Sequence, residues 1–130
     1  MSNAVTNGIL VTVRSQYIPE RSSISGKQYA FAYTVKIANQ GPVTTRLESR
    51  HWIITDAVGH VEEVRGPGVV GVQPRLRPGE AFEYTSGTPL TTPSGIMVGT
   101  YQMESESGER FDVNIPAFSL DSPHQAIRLN

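Results

Sequence analysis

The sequence contains no cysteine. That excludes a disulfide framework, thiol catalysis and a zinc–thiolate site. It also carries little net charge. Eleven basic and twelve acidic residues leave a balance of −1, with no run of one sign. An electrostatic footprint for nucleic acid is therefore missing, and so is an acidic tail. Apolar runs extend only a few residues, too short to span or insert into a membrane. The opening "MSNAVTNGILVTV" lacks a basic region followed by a long apolar core, so no secretory leader is read. Together with the missing thiols, this fits a cytoplasmic protein. Helical periodicity is absent as well: no stretch repeats apolar residues at helical spacing over several turns.

What is present is punctuation and alternation. Twelve glycines and nine prolines break a chain of 130 residues every few positions. That length suits one domain and buries roughly two-thirds of its unfolded surface without staples. Between the breaks, apolar residues recur with period two, the signature of half-buried strands. Ile9, Val11 and Val13 share one side of the first stretch, and Tyr29, Phe31, Tyr33, Val35 and Ile37 share one side of the next. In "TTRLESRHWIITD" the phase slips: Leu47 has one parity, Trp52 and Ile54 the other. A β-bulge near Ser49 or Arg50 reconciles them. "HVEEVR" is short and charged, as an edge strand is. Phe82 and Tyr84 point inward on the next stretch, followed by Met97, Gly99, Tyr101 and Met103, then Phe111, Val113 and Ile115 before Pro116 interrupts. About seven strands at regular spacing predict an all-β fold, an antiparallel sandwich of immunoglobulin-like or fibronectin type III-like kind. Residues 1–8 are expected to be a flexible N-terminus, 9–120 the domain and 121–130 a tail.

One stretch invites a sharper reading. "VRGPGVVG" holds Gly66, Gly68 and Gly71 in a GxGxxG pattern. In a dinucleotide fold that pattern follows a buried parallel strand and opens a helix whose amides hold pyrophosphate. Neither flank fits. "HVEEVR" is too polar for a buried parallel strand. Downstream, Pro74 and Pro78 forbid a helix, since interior proline costs about 3 kcal/mol. A weaker version remains: the glycines could aim successive amides inward as an anion nest, with Arg65 adding charge. The simpler reading is a long inter-strand connection in which glycines allow positive φ and close packing.

Other chemistry is sparse. His51, His60 and His124 share no ligand spacing, so no metal site is read. Glu62 and Glu63 are adjacent in a strand and face opposite ways. Ser86 lacks the context of a nucleophile elbow. Arg50 stands out because a bulge re-aims neighbouring side chains and often lies near a site. With Arg75 and Arg77 it is a candidate for partner docking.

Taken together, Arg50-His51-Trp52, the Gly66 to Pro74 loop, the Pro78 to Gly87 turn and strand, and Gly99-Thr100-Tyr101-Gln102-Met103 resemble the signature of the ApaG family. The resemblance runs from about Val11 to Leu120. It implies a fibronectin type III-like sandwich found alone in bacteria and, in eukaryotes, fused to F-box proteins and to a polymerase-interacting protein. Those contexts imply a protein-interaction module. The family is also named for a gene neighbour of a diadenosine-tetraphosphate hydrolase and carries a label for cobalt resistance and magnesium efflux, but no catalytic residues to transfer.

The expectation is thus a non-enzymatic binding module without a cofactor. Its partner is an unidentified protein, not nucleic acid or membrane, and an exposed edge strand would also allow a homodimer. Any part in cobalt or magnesium homeostasis would be indirect. The alternative is a pyrophosphate- or nucleotide polyphosphate-binding protein that uses Arg65, Gly66, Gly68 and Gly71.

Overall fold

A computed structural model describes residues 1–124. The strands are β1 (Ser2–Thr6), β2 (Ile9–Tyr17), β3 (Tyr29–Asn39), β4 (Thr45–Asp56), β5 (Val61–Pro67), β6 (Arg75–Leu76), β7 (Ala81–Leu90), β8 (Ser94–Ser105) and β9 (Arg110–Asp121). One sheet has the order β1-β2-β3-β7. The other runs β5-β4-β8-β9, with the two-residue β6 also on β4. All neighbours are antiparallel. The fold is the expected all-β sandwich. Seven longer strands carry it, joined by the short β1 and β6.

The period-two residues become the core. Val11, Val35, Ile37, Leu47, Trp52 and Tyr101 are essentially inaccessible, filling the space between the two inner faces. Full burial of an aliphatic side chain of this kind is worth about 1.5–3 kcal/mol.

Three features depart from the sequence expectation. Residues 2–6, expected to be loose, form β1. Thr6 pairs with Ile9 across an Asn7-Gly8 turn in which both residues have positive φ, as a tight hairpin needs. Pro116 does not end the last strand. The β8–β9 register shifts between Met97 and Gly99, leaving Pro116 and Ala117 in a bulge. There the ladder does not call on the missing proline N–H. Strand β9 therefore runs on to Asp121, the first residue assigned to the tail. Residues 125–130 of that tail lie outside the described residues.

The two flanks of the sandwich differ. Ser15 Oγ of β2 donates to Ser119 O of β9 at 2.8 Å, and Asn114 N of β9 donates to Thr6 Oγ1 of β1 at 3.2 Å. These bonds cover the outer edge of β9. On the opposite flank, β7 and β5 are the last strands of their sheets, and among the described residues no strand pairs with their outer edges.

Candidate functional site

The bulge lies at Glu48. Leu47 pairs with Met103 and Ser49 with Gln102, so Glu48 is the extra residue. Its consequence is a change of phase. Beyond it, Arg50 falls on the same face as Trp52 and Ile54, and that face is the interior. A charged side chain is thereby placed at an inward position, with Tyr101 opposite it on β8 and Gly66 opposite it on β5.

The guanidinium lies flat across Gly66. A methyl group there would fall 3.0 Å from both terminal nitrogens of Arg50. Nη1 donates to Pro67 O at 2.9 Å and to Gly68 O at 3.0 Å. The connection thus turns two carbonyls, rather than amides, toward the arginine. Gly68 has a φ of 59°, and a Cβ on it would meet Val72 O at 2.1 Å. Only glycine fits. Its amide is donated to Glu48 O at 2.8 Å, locking the connection onto the bulge.

Beyond Gly68 the chain makes a tight hairpin. Val69 and Val72 exchange backbone hydrogen bonds of 2.8 and 2.9 Å. Val70 and Gly71 occupy the turn with φ of 43° and 82°. Positive φ is rare for a β-branched residue and costs on the order of 1–3 kcal/mol. The strained turn projects its apolar side chains: Val70 is 55% and Val72 44% exposed.

Between this turn and β7 lies a cavity of about 340 Å³ lined by Tyr33, Arg50, Trp52, Pro67, Val69, Val70, Gly71, Tyr84 and Ser86. Tyr33 and Ser86 are cross-strand partners on β3 and β7. The Ser86 side chain pulls the Tyr33 phenol down, against the larger upward push of burial. Behind them, the Tyr84 and Tyr101 hydroxyls meet across the sandwich at 2.5 Å. Burial pushes the Tyr33, Tyr84 and Tyr101 phenols above the ordinary tyrosine range, against a smaller opposing pull from Arg50. They are neutral at physiological pH and act as hydrogen-bonding groups, not bases. Trp52 Nε1 is buried with no hydrogen-bond partner among the described residues, a state that costs free energy. Trp52 is itself a cavity wall.

The structure sorts the sequence candidates. It brings Arg50 against Gly66 and onto the Gly68 carbonyl, and of the three glycines Gly71 alone lines the cavity beside them. Arg65 faces outward on β5 and lies 3.5 Å from Glu63. Arg75 lies 3.7 Å from Glu106, and Arg77 lies 3.1 Å from Glu80. None of these three lines the cavity. Two histidines are paired with acids: His51 Nε2 is 2.7 Å from Glu63 and His60 Nδ1 is 3.7 Å from Asp56. Among the described residues, no three of His, Asp and Glu converge as metal ligands, and no helix is long and apolar enough to cross a membrane. Sequence reasoning placed Tyr33, Trp52 and Tyr84 in the core and did not assign them to a site. Their shared parity was visible, but the cavity they line needs both sheets.

The bulged arginine strand, the glycine connection and Tyr84 of β7 all fall within a stretch matched by a family model. Residues 19–105 match the ApaG domain. The chain belongs to the ApaG family. Protein ApaG of Paramagnetospirillum magneticum is 60% identical over 130 residues, covering 100% of both chains. That of Rhodospirillum centenum is 60% identical over the same span. Among solved structures, one described as an ApaA protein from Bordetella pertussis is 54% identical with a TM-score of 0.86, covering 90% of this chain and 95% of that one. The ApaG relatives thus share the full length, including the β1 hairpin region.

Proposed function

We propose that the chain is a non-enzymatic binding module. It docks a partner protein on the flank where the Arg50 cavity opens between β7 and the Val69–Val72 turn. One observation carries this reading: a backbone strained at Val70 holds two apolar side chains in solvent. Strain of that kind persists only where surrounding structure enforces it, and such sites cluster at ligand clamps. Here Arg50, Gly68 and Glu48 enforce it. The cavity beside the turn holds neutral phenols and a guanidinium, hydrogen-bonding groups suited to holding a ligand. The free edges of β7 and β5 offer main-chain hydrogen bonds to an extended partner, or to a second copy of the chain. A cytoplasmic partner is expected, and the family's cobalt and magnesium label would act through it.

The test is affinity capture with the intact chain and with Val70→Asp. Proteins enriched by the wild type should be lost with the variant, while melting temperature stays within a few degrees. Recovery of nothing above background, or of the same proteins with both, would count against the reading.

A further inference from the structure

We propose that the Arg50 cavity recognises a carboxylate, delivered by an acidic side chain of an extended peptide segment lying along the free edge of β7. The inference rests on the docking reading above and names what the docked segment must carry.

The first argument is charge. Arg46, Arg65, Arg75, Arg77 and Arg110 each lie within 4 Å of a carboxylate. Arg50 differs. Its described partners are the carbonyls of Pro67 and Gly68, which satisfy hydrogen bonds but leave the charge uncompensated. Both bonds use Nη1, so Nη2 remains for a ligand. A half-buried cation without a counter-ion is costly, and an anion entering beside it relieves that cost.

The second argument is independent and concerns donors. Tyr33 and Ser86 bring hydroxyls to the walls beside the guanidinium, and no Asp or Glu is among the lining residues. A cavity with surplus donors and no acid is complementary to an acceptor-only group, which an ionised carboxylate is.

The third argument selects among anions. Among the described residues, one cation, Arg50, lines the cavity. Arg65, the nearest alternative in sequence, points outward toward Glu63. A single guanidinium matches one carboxylate, whereas a polyphosphate calls for several positive groups. The source follows from the walls. Tyr84 and Ser86 belong to β7, whose outer edge is unpaired. A peptide strand added there would present alternate side chains to the cavity and lay apolar neighbours against Val70.

The experiment exploits the single tryptophan, whose indole N–H gives one resolved signal. The 15N-labelled full chain is titrated to millimolar concentrations with the blocked peptide acetyl-Thr-Val-Glu-Val-Thr-amide, its Glu→Gln counterpart and inorganic phosphate. The acidic peptide should shift the Trp52 indole and the amides of β7 and residues 69–72 saturably. The Gln peptide should bind about tenfold more weakly or worse, and phosphate should leave the indole unmoved. Arg50→Gln should erase the preference for Glu over Gln. The ligand swap on the wild type stands even if that variant folds poorly. Equal affinity for both peptides overturns carboxylate recognition while leaving the docking face standing. A saturable response to phosphate, or silence of the indole with both peptides, also overturns it. The docking face is judged separately by the capture experiment.

Discussion

The phenols of Tyr84 and Tyr101 meet at 2.5 Å, one from each sheet, and form a polar link through an apolar core. Each hydroxyl is the other's described partner. Removing one oxygen leaves the other buried and unpaired, which costs about 1–3 kcal/mol. Removing both costs less than the sum. Tyr84→Phe and Tyr101→Phe should each lower unfolding free energy by about that amount in urea melts, and the double variant should fall short of additivity by roughly 1 kcal/mol. Strict additivity would show that the link contributes nothing.

Alkaline pH should act through the same groups. Burial raises the Tyr33, Tyr84 and Tyr101 phenols above their unfolded value. The folded state then holds its protons more tightly than the unfolded state. That stabilisation is fully present below about pH 10, the ordinary phenol value, and is lost as pH climbs toward the folded values. Urea midpoints should fall above pH 10. Tyrosinate absorbance from these three should rise only with unfolding. Their reversible ionisation at pH 10 in a fully folded chain would contradict the assignment.

Opposite outcomes are expected at two positions of the glycine connection. Gly68→Ala would drive a methyl into Val72 O and should cost at least about 2 kcal/mol. Val70→Gly relieves positive φ at a β-branched residue and should stabilise by about 1 kcal/mol. Thermal melts of both variants decide this. If Val70→Gly destabilises, the turn is not strained, and the argument that its geometry is retained for docking loses its support.

Much of this architecture was legible because a strand exposes its burial pattern in two-residue steps. Tyr29, Phe31, Tyr33, Val35 and Ile37 all proved buried as the alternation required. The bulge was legible as a slip of phase between Leu47 and Trp52, which flagged Arg50, although the extra residue is Glu48 rather than Ser49 or Arg50. β1 was not, because "SNAVT" is short and weakly apolar, although the Asn7-Gly8 dipeptide after it was a hairpin signal that could have revealed it. Pro116 misled because proline's cost in a strand vanishes at a bulge. The cavity was illegible for a different reason. Tyr33, Arg50 and Tyr84 lie on three strands in two sheets, and nothing local records which positions face each other across a sandwich.

Buried Asn39 is a further residue that alternation alone does not explain. Its Nδ2 donates to Val43 O at 2.8 Å and Leu76 O at 2.9 Å, and its Oδ1 accepts from Gly41 N at 3.0 Å. One side chain therefore ties the turn after β3 to β6. Asn39→Leu keeps much of the volume but strands two carbonyls and an amide. It should cost about 2–4 kcal/mol and loosen exchange protection at residues 41–45 and 75–77 before the rest of the sandwich. Uniform loss of protection would mean that Asn39 supports the whole fold rather than this corner.

The GxGxxG stretch makes the last prediction. A nest needs amides free to converge on an anion. Here the amides of Gly68, Val69 and Val72 are donated to Glu48, Val72 and Val69 carbonyls. The groups turned toward the one nearby cation are carbonyls, which repel phosphate oxygens. Gly66 is covered by the Arg50 guanidinium, and Arg65 is drawn outward by Glu63. Pyrophosphate or diadenosine tetraphosphate at millimolar concentration, with or without Mg²⁺, should therefore leave the amide signals of Gly66, Gly68 and Val69 in place, and Arg65→Ala should change nothing. Saturable shifts at those three amides, abolished by Arg65→Ala, would mean that the connection rearranges to bind phosphate. The carbonyl clamp on Arg50 would then be one state of a switch rather than its resting architecture.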